Sequence, residues 1–123
     1  MKRDMDLIRE ILLYLEADNT PSVWKQIQLD NWELTEVSYH VKLLTEAGLI
    51  DGKDAKIEPG YWWLAKSLTN QGHDFLDALK NETVYQKIKG TLGEHFSSIP
   101  LKVMSNIAVD ITKDWVTQKL GLK

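Results

Sequence analysis

The chain contains no cysteine, which excludes disulfides, thiolate metal sites and cysteine nucleophiles. Arginine is almost as scarce: Arg3 and Arg9 are the only two, both near the start. Proteins that dock on nucleic acid usually present a strongly basic domain, because neutralising phosphates dominates their affinity. The net charge of −3 counts against such a domain and leaves room only for a local basic patch. No apolar run approaches the roughly 20 residues that a membrane-spanning helix needs. Acidic residues recur too soon after Met1-Lys2-Arg3 for a signal peptide, so a cytoplasmic protein with no membrane contact is expected. A phosphate-cradling glycine loop, a nucleophile elbow and metal-spaced clusters are also missing, so no enzyme, metal or cofactor is expected.

What is present is an ordinary globular composition, 43% hydrophobic and 27% charged over 123 residues. That suits one domain, or one small domain with an appendage. Ile8, Ile11, Leu12 and Leu15 recur at helical spacing, flanked by Met5, Leu7 and Tyr14, and predict an amphipathic helix from Met5. Asp18-Asn19 and Pro21 should end it. Alternation over Val23 to Leu29 predicts a short strand with Val23, Ile27 and Leu29 inward and Trp24 outward. Leu34, Val37, Val41 and Leu44 form the inner stripe of a second helix, with Gly48 placed to close it in the left-handed conformation. A hairpin follows from Leu49 to Ser67, its tip at Glu58-Pro59-Gly60-Tyr61, where proline then glycine suit a type II turn. Thr69 is a cap for the next helix, with Phe75, Leu76 and Leu79 inward. Residues 81–93 read as a weakly patterned helix. A long last helix, capped by Ser98 with Pro100 in its first turn, should reach Leu120 and stop at Gly121.

This order of helix, strand, helix, hairpin and helix is that of a winged helix, an α+β relative of helix-turn-helix folds, over residues 1–80, with a C-terminal helical extension over 81–123. Val37-Ser38-Tyr39-His40-Val41-Lys42-Leu43-Leu44-Thr45-Glu46-Ala47-Gly48-Leu49-Ile50 resembles the recognition helix and following strand of winged-helix regulators. Leu68-Thr69-Asn70-Gln71-Gly72 resembles the step by which such chains leave the wing. The opening MKRDMDLIREI, the Gly72–Asp77 segment and the Leu101–Leu120 tail resemble an uncharacterised bacterial and phage family related to YjcQ-like winged-helix proteins. That resemblance implies a winged helix and brings no catalytic or binding residues with it. The strand between the first two helices leaves little room for the usual middle helix.

Two functions compete. In a nucleic-acid-binding regulator, Thr35, Ser38, Tyr39 and Lys42 on the recognition helix would meet duplex DNA, with Lys53 and Lys56 of the wing on its backbone. Against it, residues 31–66 hold four lysines, six carboxylates and no arginine. In a protein–protein adaptor, Trp62 and Trp63 would anchor a partner; strand alternation forbids both facing the core. Leu101, Met104, Ala108, Ile111 and Trp115 form an apolar stripe on the last helix. It would either pair with a second copy in a homodimer or fold back on its own chain. Glu36 and His40 share a helix face at metal-ligand spacing, but no third ligand stands near, and a partly buried structural histidine is the reading adopted.

Overall fold

Helix α1 (Met5–Ala17) starts where Asp4 supplies an acceptor to unpaired backbone donors. Its Oδ1 takes the N–H groups of Asp6 at 2.9 Å and Leu7 at 3.2 Å, the usual work of an N-cap aspartate. The predicted stripe is inward, with Met5, Leu7, Ile8, Ile11, Leu12 and Leu15 all buried, whereas Tyr14 is exposed. The computed structural model describes residues 1–56, 62–95 and 98–121; the expected hairpin tip at 58–61 lies outside them.

Between α1 and the next helix the expected strand shrinks to one bridge. Lys25 and Ala65 exchange both backbone hydrogen bonds, each at 2.9 Å. Ile27 is buried as expected, but Val23, expected inward, is 51% exposed. No helix forms over residues 18–33; Trp32 N–H closes a turn on the carbonyl of Leu29 at 3.2 Å.

Helix α2 (Leu34–Glu46) packs on α1 and on a hairpin of β1 (Ile50–Asp54) and β2 (Trp63–Leu68). Val37, Val41 and Leu44 are buried as predicted; Leu34 is only half-buried, and Ser38 and His40 widen the inner face. Gly48 follows at φ +76°, the left-handed turn expected of it. The strands pair antiparallel, Ile50 with Leu68 and Asp51 with Ser67, but Gly52 faces Ala65. Lys66 is therefore the extra residue of a β-bulge, which disturbs the ladder and re-aims the side chains beside it.

Helix α3 (Asn70–Lys80) begins as predicted at Thr69, whose Oγ1 accepts the N–H of Gly72 at 3.1 Å. Helix α4 (Glu82–Leu92) buries Val84, Tyr85, Ile88 and Leu92, a stripe at spacings of three and four that the polar remainder of the segment obscures. Helix α5 (Leu101–Lys119) packs on α3 and α4. Its N-cap is Pro100 rather than Ser98, whose hydroxyl instead donates to the His95 carbonyl at 3.2 Å. Leu101, Met104 and Ala108 are buried inside this chain and join the same apolar cluster as α1, α2 and the hairpin. That corrects the use of these three as an intermolecular seam: the tail folds back. Ile111 and Trp115 lie half-buried against the cluster.

Candidate functional site

Thr35, Tyr39 and Lys42 stand four and three residues apart, so they share one line along α2. Thr35 is exposed, and Tyr39 and Lys42 are half-buried. The Lys42 ammonium lies 5.9 Å from the centre of the Tyr39 ring and 3.9 Å from Glu46 Oε2, a turn further on. At the other end the Glu33 N–H donates to Glu36 Oε1 at 3.3 Å. The first turn of α2 thus carries its own carboxylates, which complement the helix dipole there and repel an incoming phosphate.

Ser38 does not belong to this line. It is 1% exposed, and its Oγ faces the backbone N–H of Trp63 at 3.4 Å. A side chain buried between helix and hairpin cannot reach a base, so the expected contact from Ser38 is withdrawn. Inward facing of Val37 and Val41 brings residue 38 under the sheet, a consequence of the hairpin's position that helix periodicity does not contain.

His40 is the other buried polar side chain of α2, at 1% exposure. Its Nε2 receives the backbone N–H of Asp4 and its Nδ1 contacts the Glu36 carbonyl, both at 2.8 Å. A carbonyl can only accept and an amide can only donate. The ring is therefore neutral, with the proton on Nδ1 and the Nε2 lone pair occupied. Burial pushes its pKa down, only partly opposed by the hydrogen bond to Glu36 and the charges of Asp4 and Glu36, while Arg3 adds to the depression. With both nitrogens engaged, His40 has no lone pair left for a metal, and among the described residues no group of three ligating side chains assembles.

The arginines also turn inward. Arg3 Nη2 donates to the carbonyl of Ile99, joining the N-terminus to the approach of α5. The Arg9 guanidinium lies 5.5 Å from the centre of the Tyr85 ring on α4, a cation–π distance. Lys25 is held by Asp18, by the Thr20 carbonyl and by the Lys66 carbonyl at 3.0 Å. Lys80 pairs with Glu16 at 2.9 Å.

The lysines expected on the wing are placed differently. Lys53 and Lys56 are exposed. Lys56 sits at φ +57°, its N–H bonded to Asp54 Oδ1 at 2.8 Å. The ammonium of Lys53 lies 4.5 Å, and that of Lys66 5.4 Å, from the centre of the half-buried Trp24 ring. Sequence reasoning put Trp24 on the outer side of its strand but assigned neither it nor Lys66 to a site. The missing element was the bulge, which brings Lys66 beside the indole and which no residue pattern announces. Trp62 and Trp63 are both half-buried, Trp63 packing on the core.

These features define an α+β chain whose described residues form five α-helices, a short 3-10 turn and a two-stranded antiparallel sheet, with one helix line and one sheet face bearing the polar side chains of interest. The chain belongs to the family described as hypothetical protein (DUF2513), which it matches over residues 2–98, ending before α5. It is also 36% identical over 112 residues to an uncharacterized protein of Haemophilus influenzae, covering 90% of this chain and 95% of that one. No solved structure matches. Among the described residues no helix is long and apolar enough to cross a membrane.

Proposed function

We propose that this chain is a cytoplasmic, non-catalytic winged-helix module that binds nucleic acid, with α2 as the reading helix and the β1–β2 hairpin as the wing. The observation that carries the reading is the Thr35–Tyr39–Lys42 line: a hydroxyl, a phenol and an ammonium stacked along the solvent side of a helix braced by α1 and the hairpin. Those groups suit base edges and phosphates. The Lys25–Ala65 bridge supplies a rudiment of a third strand, and the resemblance of the opening residues to an uncharacterised family related to YjcQ-like winged-helix proteins agrees with it. Residues 1–80 would form the winged helix and 81–123 the extension.

One observation favours a second reading. Glu33, Glu36 and Glu46 flank the same line, so a protein with a basic surface is the alternative partner, and the module would then be an adaptor. Titration against pooled duplex fragments at low and moderate salt separates the two. Nucleic-acid binding predicts affinity that falls with salt, and a Lys42→Ala chain that loses either about one unit of log–log salt slope or its sequence preference. A folded chain that binds nothing at low salt overturns the reading and leaves the adaptor.

A further inference from the structure

Trp24 comes from the segment before α2, Lys53 from β1, and Lys66 from the bulge of β2. The fold brings these three together on the solvent side of the hairpin, opposite the buried Ala65. The two ammonium groups converge over one indole, whose electron-rich face steadies cations without cancelling their charge. Lys25, Lys42 and Lys80 each stand beside a carboxylate. Among the described residues no carboxylate comes within ion-pair distance of Lys53 or Lys66. The carbonyl of the bulged Lys66 is taken by Lys25, so the irregular backbone is tied down while the half-buried Lys66 side chain lies against the Trp24 ring.

We infer that this sheet face, Trp24 with Lys53 and Lys66, is the principal phosphate-binding surface of the module and takes the backbone of a nucleic acid. The inference rests on the nucleic-acid reading above and moves the weight of binding from α2, where carboxylates crowd Lys42, to the sheet. Two ammoniums held by a fixed ring lose little freedom when an anion arrives. A chain of phosphates matches converging cations in sign and in repetition. An acidic polypeptide shares the sign, and is made an arm of the test.

The test is a titration of a dye-labelled duplex, read by anisotropy between 50 and 200 mM salt, for the wild-type chain, Lys42→Ala and Lys53→Gln/Lys66→Gln. Circular dichroism confirms that each chain is folded; both lysines are replaced at their solvent ends. Each lost phosphate contact removes about 0.9 from the log–log salt slope, so the double variant should lose close to two units, or about tenfold in salt sensitivity over this range. Trp24→Leu should weaken binding in the same direction by loosening both lysines. If the wild-type chain binds and the double variant keeps its slope, the sheet face is not the phosphate surface, although the nucleic-acid reading stands. If the wild-type chain binds no duplex, both fall. If poly-glutamate competes for Lys53 and Lys66 more strongly than the duplex does, the surface belongs to an acidic protein and the inference is overturned.

Discussion

Within α2, Thr35 faces water, Ser38 sits beneath the hairpin, and His40 joins two segments that are far apart in sequence. Helical spacing foretold the inward turn of Val37, Val41 and Leu44, because a stripe of aliphatic residues has one sensible direction. It did not foretell Ser38, because a small hydroxyl at the margin of a stripe can face either way. Tertiary neighbours decide. His40 is buried with both ring nitrogens engaged, in line with the structural histidine expected of it. His40 gives a prediction of definite sign. Its pKa is depressed in the folded chain, so below the ordinary value of about 6.5 the unfolded chain takes up a proton that the folded one refuses. Stability is therefore unaffected by this group above that pH and declines as pH falls from there towards the folded pKa. Protonation would also set an Nε2–H donor against the Asp4 N–H it now receives. Asp4 and Glu36 favour the charged ring and Arg3 opposes it, and burial outweighs the two carboxylates. Urea midpoints at pH 7 and pH 5 should differ more for the wild-type chain than for His40→Gln, whose amide oxygen accepts without titrating. Equal pH dependence in both would refute this account of His40.

The two sequence motifs are one device at the level of elements. Gly48 ends α2 and Thr69 starts α3. The Thr69 hydroxyl donates to the Gly48 carbonyl at 2.7 Å, and its backbone N–H donates to Leu49 at 3.1 Å. Gly72 then lies directly against Leu49: a Cβ there would come within 1.9 Å of the Leu49 carbonyl oxygen. The leucine-threonine-x-x-glycine step is thus the complement of the alanine-glycine-leucine step, which is why the motifs located the hairpin and α3 so well. Gly72→Ala forces one backbone away from another and should cost about 1–3 kcal/mol, as overpacking does. Gly90 on α4 is the contrast, with nothing within 4 Å of an added Cβ. Gly90→Ala should stabilise by about 0.5–1 kcal/mol, the usual gain of alanine over glycine inside a helix. Denaturant midpoints moving in opposite directions support this packing; a neutral Gly72→Ala contradicts it. What the elements withheld was pairing. The strand around Lys25 has the alternation of a longer one, but it pairs through a single bridge, at Ala65 beside the bulged Lys66.

Across the whole molecule, the tail is bound into the chain through α4 and the first half of α5. Arg3 reaches the Ile99 carbonyl before α5, Arg9 meets Tyr85 on α4, and Leu101, Met104 and Ala108 bury against α3 and α4. The sequence put a homodimer first and fold-back second for that stripe, and the burial of Leu101, Met104 and Ala108 within the chain favours fold-back, since an amphipathic helix specifies that it needs cover and not whose. The same contacts explain the scarcity of arginine at the proposed binding surface: the two that exist secure the fold. Cations available for a ligand are then lysines, and their placement separates α2 and the sheet face from the back of the molecule. Amine-reactive footprinting of the full chain with and without saturating duplex tests that placement most directly. The account predicts slowed modification at Lys42, Lys53 and Lys66, and unchanged rates at Lys80, Lys102 and Lys113. Protection confined to Lys80, Lys102 and Lys113, or no protection at any lysine, would contradict it.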